Sequence, residues 1–288
     1  LFDQFADPGS EFRTKPFMVW NTEITPHRID RILSEYKEQG CGGVFIHPRL
    51  GLITEYLSPT WNEMVKYTVD KGRDLGLEVW LYDENSYPSG FAGGHVPREM
   101  PEAFNRGQGL KPTAADTMPA DVSKYFVIVA EEDGKFENVT GRAASMAGRP
   151  GRFYLYEKTF YQPSPWYAGG PYVDLLAHGV TDKFMEITMQ GYEKTFGGDL
   201  KGNVKGVFTD EPEIVSPGGV RWTPDLFDVF RSEYGYDLSD CLPQLHEEIG
   251  DWRKVRHDYF QLLNRLFCNV QFIIHIYPSA HPGMPWRP

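Results

Sequence analysis

The most informative segment of the chain reads Gly206-Val207-Phe208-Thr209-Asp210-Glu211-Pro212-Glu213. An apolar run ends there in three carboxylates and a proline. A parallel strand that is buried on both faces reads as a continuous hydrophobic run. Acids at the C-terminal end of such a strand lie where α/β barrel enzymes keep their catalytic residues. The segment therefore predicts a buried parallel strand that ends at a reaction site.

Three earlier apolar runs end in the same way, and helices are marked between them. The three runs are Pro16–Asn21, Gly43–Arg49 and Leu77–Asn85. Helix starts are indicated at Thr25-Pro26, Ser58-Pro59, Thr181, Thr223-Pro224 and Trp252. A Ser or Thr N-cap followed by Pro is a typical helix start. Strands that alternate with helices favour a parallel sheet, and right-handed crossovers curl such a sheet towards a barrel.

The sequence thus predicts an α/β fold, a partial (β/α)8 TIM-type barrel with a small β-rich insertion after the third strand. Residues 1–90 would form the first half of the barrel from three strand–helix units, and 91–179 the insertion. Residues 180–270 would supply the remaining barrel part, with the Asp-Glu-Pro strand and its helices, and 271–288 an atypical Pro-rich tail. Because a half barrel has unpaired edges, self-association through these open edges is also expected.

Composition excludes several classes of function. A net charge of −11 argues against a nucleic-acid partner, which needs clustered cations. No apolar run is long enough to cross a bilayer, so a soluble protein without a membrane partner is predicted. The three scattered cysteines have no C-x-x-C spacing, so no zinc site or disulfide framework is indicated. No phosphate or dinucleotide loop is present, so no cofactor is predicted.

Five blocks of the sequence, taken together, resemble bacterial glycoside hydrolases related to the family 106 α-L-rhamnosidases. They are Phe12–Asn21, Gly42–Leu52, Tyr56–Trp61, Trp80–Gly94 and Gly206–Pro212. The resemblance implies a catalytic barrel that acts on glycosidic bonds, with a carbohydrate substrate bound at the strand ends. It also favours a secreted or periplasmic location, which the sequence itself leaves open.

Glycoside hydrolysis needs two carboxyl groups, one to protonate the leaving oxygen and one to act as base or nucleophile. Glu211 is the predicted general acid, because it ends the fourth strand and Pro212 fixes the backbone after it. Side chains alternate along a strand, so only one of Asp210 and Glu211 would face the centre of the site. The alternative is that both acids cap the next loop or pair with an arginine.

Asp83 and Glu84 are the other predicted catalytic carboxylates. One of them would serve as the second carboxylate or orient a sugar hydroxyl, and the alternative is a structural salt bridge with Arg49. A carboxylate separation of about 5 Å gives retention and a clearly longer one gives inversion, so the stereochemical outcome stays open. Asp83, Asp210 and Glu213 would be a weaker candidate for a calcium site.

The predicted sugar contacts come from the same strand ends. Histidine and arginine side chains donate to hydroxyls, an amide pairs with them, and an indole stacks on a sugar face. The predicted substrate-binding residues are Trp20, Asn21, His47, Arg49, Tyr82, Tyr87 and Glu213. For Trp20 the alternative is plain core packing. An aromatic segment from Phe160 to Tyr172 would form a wall over the site or a local core.

The predicted function is carboxylate-catalysed hydrolysis of glycosidic bonds in poly- or oligosaccharides. The alternative is a truncated, catalytically impaired carbohydrate-binding fragment of such an enzyme. That alternative follows from the length of the chain. A complete eight-stranded barrel takes about 250 residues, and the insertion leaves too few for one here.

Overall fold

The structure is a computed structural model that describes residues 5–276, with side chains up to residue 268. In chain order the strands are β1 (Phe17–Trp20), β2 (Gly43–Pro48), β3 (Glu78–Tyr82), β4 (Gly109–Thr117), β5 (Val127–Glu132), β6 (Lys135–Asn138), β7 (Pro150–Thr159), β8 (Val207–Phe208) and β9 (Val220–Arg221). The helices are α1 (Pro26–Glu38), α2 (Pro59–Leu75), α3 (His95–Glu99), α4 (Glu102–Asn105), α5 (Val180–Ile187), α6 (Met189–Thr195), α7 (Leu200–Asn203), α8 (Leu226–Tyr234), α9 (Leu238–Cys241) and α10 (Trp252–Ile276).

The four apolar runs form one parallel sheet, in the order β1-β2-β3-β8. Each run is short and rich in β-branched and aromatic residues, which favour strands. The polar residues that follow these strands therefore meet at one edge of the sheet, as the sequence predicted.

Helices α1 and α2 begin at the predicted caps. The Thr25 hydroxyl accepts from the backbone N–H of Arg28 at 3.4 Å, and the Ser58 hydroxyl accepts from that of Trp61 at 3.2 Å. These bonds satisfy N–H groups that the first turn of a helix leaves unpaired. Helix α2 stops at Gly76, whose φ of 66° is the left-handed conformation that glycine adopts most easily.

The two faces of the parallel sheet have different surroundings. One face carries Met18, Ile46 and Leu81, which are buried in a core that includes residues of α1, α2, α5 and α6. The opposite face, called here the aromatic face, carries Phe17, Val19, Phe45, His47, Trp80, Tyr82 and Phe208. Phe17 remains 40% exposed and Val19 46% exposed, so the aromatic face is open at the β1 edge.

The second sheet is antiparallel, with the strand order β6-β5-β7-β4-β9. The predicted hairpin forms where Glu131 of β5 pairs with Phe136 of β6. The last strand, β9, comes from beyond β8 and pairs with the start of β4, with Gly109 opposite Arg221. A segment that follows the fourth parallel strand is therefore built into the antiparallel sheet.

The prediction of a partial (β/α)8 barrel is wrong. The described chain forms a four-stranded parallel sheet and a separate five-stranded antiparallel sheet. After β8 the alternation of strand and helix stops, because β9 joins the antiparallel sheet. Leu226 and Phe230 of α8, with Val255 and Leu262 of α10, then pack in the core of that sheet. The proposed division at residues 90, 179 and 270 stays a prediction, as does self-association.

A buried polar network joins the antiparallel sheet to the segment that contains Tyr172 and Asp174 and to α10. Arg221 donates to the Asp174 carboxylate and to the carbonyl of Gln108, the latter at 3.1 Å. The Gln108 side-chain amide donates to the Tyr172 carbonyl at 2.8 Å, and the Tyr259 hydroxyl donates to the Arg221 carbonyl at 2.7 Å. Both members of the ion pair are almost fully buried. Among the described residues, no helix is long and apolar enough to span a bilayer.

Gly43→Ala is expected to destabilise the parallel sheet by about 1–3 kcal/mol through overpacking. A Cβ at Gly43 would lie 2.2 Å from the carbonyl oxygen of Glu78 in the adjacent strand, so the backbone has to move. Urea unfolding measures the loss. The matched control is Gly191→Ala in α6, where a Cβ meets nothing within 4 Å and helix propensity predicts a gain of about 0.5–1 kcal/mol. Equal effects in the two variants would contradict the predicted clash.

Candidate active site

Asp83 lies directly after β3 and is enclosed by hydroxyl donors. The Ser89 hydroxyl donates to its Oδ1 at 2.6 Å, and the Thr209 hydroxyl donates to its Oδ2 at 2.7 Å. The side chain is 1% exposed. Burial raises the pKa of Asp83 to about 7, although the two hydroxyl donors lower it. Asp83 is therefore buried beneath the surface of the site, and both of its carboxyl oxygens already have hydrogen-bond partners.

Glu84 is a structural hub for the glycine-rich loop that follows β3. Its two carboxylate oxygens accept backbone N–H groups from Asn85, Gly90, Phe91, Ala92 and Gly93. The side chain is fully buried. Burial raises the pKa of Glu84 to about 8, while the N–H donors of Asn85 and Gly93 act in the opposite direction. With five donors on its oxygens, Glu84 holds the loop in place.

Asp210 is half-buried and is held by a tyrosine from the neighbouring strand. The Tyr82 hydroxyl donates to Asp210 Oδ2 at 2.5 Å. The backbone N–H of Asp210 donates to the Ser89 hydroxyl at 2.9 Å, and its carbonyl accepts from the Ser89 N–H at 2.7 Å. Because the Tyr82 ring belongs to the aromatic face, the Asp210 carboxylate is directed to that side of the sheet. Burial and this hydrogen bond raise the pKa of Tyr82, so the phenol stays protonated.

Glu211 stands out by its backbone. Its φ is +40°, a conformation that costs a non-glycine residue on the order of 1–3 kcal/mol. The residue is exposed, whereas Glu213 is half-buried. Burial raises the pKa of Glu213, and the charge of Glu211 raises it further. The two carboxylates therefore interact electrostatically, and Glu211 is the one that faces solvent.

His47 lies on the aromatic face and is neutral at pH 7. Its ring stacks on Phe17 at 4.3 Å between ring centres and meets the Tyr82 ring edge-on at 4.2 Å. Burial and the charge of Arg49 lower the pKa of His47 to about 4, although Asp210 raises it. Its Nδ1 is buried and has no hydrogen-bond partner within the described part of the protein. A neutral imidazole can donate from one nitrogen and accept at the other.

Arg49 lies over two aromatic rings. Its Cζ lies 5.6 Å from the ring centre of Tyr87 and 5.7 Å from that of Trp166, within the range of cation–π attraction. No ion pair joins it to Asp83 or Glu84 among the residues that the structure resolves. Trp166 belongs to the predicted aromatic wall, and it reaches the strand ends. The remaining wall residues Tyr161, Tyr167 and Tyr172 pack against one another and, through Tyr167 and Tyr172, against Phe91.

Trp20 and Asn21 lie apart from this group. Trp20 is 2% exposed and packs edge-on against Trp61 of α2, with ring centres 4.9 Å apart, so its indole is in the helix-side core. Asn21 is exposed and lines a cavity of about 140 Å³ with residues of α1. The structure therefore brings together most of the predicted site residues, namely His47, Tyr82, Asp83, Glu84, Asp210, Glu211 and Glu213, with Arg49 and Tyr87 beside them.

Sequence reasoning missed two hydroxyl residues, Ser89 and Thr209. Thr209 stands inside the Asp-Glu-Pro segment, so its position next to the acids was visible in the sequence. Ser89 bridges the Asp83 carboxylate and the Asp210 backbone across a separation that no local pattern indicates. Searched over the described range, the chain shows no group of three or more His, Cys, Asp and Glu side chains placed to hold a metal ion.

Asp83→Asn is expected to change how stability depends on pH. An acid with a raised folded-state pKa adds stability below its ordinary value of 3.8, and this stability is lost as pH rises through about 7. The asparagine variant lacks this dependence. The free energy of unfolding of the wild type, relative to the variant, should therefore fall between pH 4 and 7, by at most about 1.4 kcal/mol per pH unit for one proton.

Urea titrations of both proteins across this range measure that difference. The two proteins have to be compared because His47 also changes stability with pH. Its pKa is lowered from the ordinary value of 6.5 to about 4, so its contribution to the free energy of unfolding rises with pH between these two values. Parallel stability curves for the wild type and the variant would contradict a buried, proton-binding Asp83.

Comparison with known proteins shows a distant structural likeness. No protein-family model matches the sequence, and no curated protein matches it. A solved structure of a rhamnosidase from Novosphingobium sp. PP1Y superimposes with a TM-score of 0.61 at 14% identity, covering 96% of this chain and 46% of that one. The chain thus spans about half the length of that protein. At this identity the likeness shows the fold alone, and the fold is like that of a glycoside hydrolase.

Proposed function

We propose that the chain carries the acid/base site of a glycoside hydrolase that acts on poly- or oligosaccharides. The observation that supports this best is the pair of carboxylates after β8, with the half-buried Asp210 held by Tyr82 and Glu211 exposed on a strained backbone. Strained residues cluster at functional sites. The fold likeness to a rhamnosidase is consistent with the proposal.

In this proposal Glu211 donates the proton to the leaving glycosidic oxygen. Asp210 is the second carboxyl group, and the Tyr82 hydroxyl holds it in place. Asp83 and Glu84 have positioning roles, since their oxygens are occupied and buried. His47 is almost fully buried, and its neutral ring packs beside Tyr82, the residue that holds Asp210. No step needs a cofactor.

A second candidate is carbohydrate binding without hydrolysis. It is favoured by the enclosure of Asp83 and Glu84, which removes two of the four predicted catalytic acids from direct contact with a substrate. The aromatic rings and polar groups at the strand ends would still bind a sugar. Both candidates predict that the chain binds a sugar, and only the first predicts that it hydrolyses one.

Hydrolysis of a panel of aryl glycosides, α-L-rhamnoside included, tests the proposal. We expect release of the aryl group from at least one member of the panel by the wild type. Glu35→Gln, which changes an exposed acid of α1, serves as the control variant and should retain that activity. Sugar binding with no turnover on any glycoside would favour the second candidate.

A further inference from the structure

Arg49 pairs with no acid although it stands among several. Asp83 is satisfied by two hydroxyls, Glu84 by backbone amides and Asp210 by Tyr82. Within the part of the chain that the structure describes, none of the ion pairs includes Arg49, while arginines elsewhere on the surface pair with carboxylates. An unpaired guanidinium at an acid-rich edge, in a chain of net charge −11, is available to a ligand.

The guanidinium is nevertheless held in position. The backbone N–H of Arg49 donates to the Trp20 carbonyl at 3.0 Å, so the hydrogen bonds between β1 and β2 continue past the end of β2. Tyr87 and Trp166 meet edge-to-face at 5.4 Å between ring centres, and Arg49 lies against both rings. Trp166 is 47% exposed, so this cluster opens to solvent.

The contacts with the two rings leave the N–H groups of the Arg49 guanidinium without an acceptor among the described residues. These N–H groups form a fixed fork of donors that matches the two oxygens of a carboxylate. The exposed Trp166 ring and the half-buried Tyr87 ring beside it suit the apolar face of a sugar ring. We propose that Arg49, Tyr87 and Trp166 form a subsite for a carboxylate-bearing sugar, a uronate unit of the substrate.

A singly charged carboxylate fits this place better than a phosphate group. Arg49 lowers the pKa of His47 and Asp210 raises it, so both charges lie near the His47 ring. Like charges repel, and a dianionic phosphate is repelled more than a uronate. This inference rests on the proposed action on carbohydrates, and it adds the charge of the substrate.

The test compares ligands that differ only in the carboxylate. Methyl glucuronide and methyl galacturonide are titrated beside methyl glucoside and methyl galactoside, with Trp fluorescence or calorimetry as the readout. We expect one uronide to bind roughly 10- to 100-fold more tightly than its neutral parent, the range of one charge-assisted contact, and the preference to weaken with added salt.

Variants of Arg49 test whether this residue causes the preference for the uronide. Arg49→Gln should abolish the preference, and Arg49→Lys should restore only part of it because an ammonium lacks the fork. Arg31→Gln, which removes an exposed arginine of α1, is the matched control and should bind as the wild type does. Equal binding of uronide and parent, no binding of either, or a preference that survives Arg49→Gln would overturn the inference.

These outcomes are separable from the fate of the proposed hydrolysis. Binding of the methyl glycosides requires no turnover, so Glu211→Gln should keep the uronide preference. A preference without any glycoside cleavage would reject hydrolysis and leave the subsite in place. Cleavage of neutral glycosides without a uronide preference would reject the subsite alone.

Discussion

Glu211→Gln is expected to lower kcat for glycoside hydrolysis by about 10²- to 10⁴-fold, the usual contribution of a general acid. Glutamine keeps the size of the side chain and its place after the strand, but it cannot supply a proton to the leaving oxygen. Because Glu211 is exposed and no core contact depends on its charge, the variant should fold as the wild type does. Initial rates on the best aryl glycoside of the panel measure the loss.

Leaving groups distinguish a proton donor from other roles. Dinitrophenolate leaves a glycoside without being protonated. The hydrolysis rate of a dinitrophenyl glycoside should therefore fall much less in Glu211→Gln than the rate for a glycoside with a poor leaving group. Glu213→Gln is the matched variant two residues away, and it should retain most of the activity. A large loss in Glu213→Gln together with a small one in Glu211→Gln would transfer the role of acid to Glu213, whose pKa is raised by burial.

Asp174→Ala is expected to destabilise the protein by about 3–5 kcal/mol, because it leaves the buried Arg221 without its carboxylate. Arg221 also anchors the Gln108 carbonyl, so the link between β4 and β9 weakens with it. Chemical denaturation gives the loss as a lower midpoint. The expected effect is large because neither charge can reach water.

Two comparisons make this result specific. Asp70→Ala breaks an exposed pair with Lys66 and should cost less than about 1 kcal/mol. Replacing Asp174 and Arg221 together by Leu and Met should restore much of the stability, since a buried ion pair replaced by apolar side chains is often neutral. A cost for Asp174→Ala no greater than for Asp70→Ala would contradict the buried pair.

The local elements of the fold were predictable from the sequence, and their assembly was not. Thr25 and Ser58 cap two helices through contacts within four residues, so both helix starts can be predicted from the sequence. The pairing of Val220 and Arg221 with β4 joins Leu110 to Val220, far apart in the chain, and has no local signature. Counting strand–helix units therefore suggested a barrel, while long-range pairing produced a second sheet.

The same limit applies to the site. Acids at strand ends were visible, but their burial depends on how the loop after β3 folds back, which encloses Asp83 and Glu84. The sequence did not show which side of the sheet the Trp20 side chain lies on. Both faces of β1 are apolar, so the alternation of side chains does not distinguish a core residue from a site residue. The contact between Arg49 and Trp166 depends on an aromatic residue of a distant segment.

The loop that Glu84 organises has the chemistry of an anion receptor. Successive backbone N–H groups that converge on one point form a nest, the arrangement by which glycine-rich loops bind phosphate. Here the group at that point is the protein's own Glu84 carboxyl, which accepts from Gly90, Phe91, Ala92 and Gly93. Because this side chain already occupies the N–H groups of the loop, they are not free to bind the phosphate of a ligand.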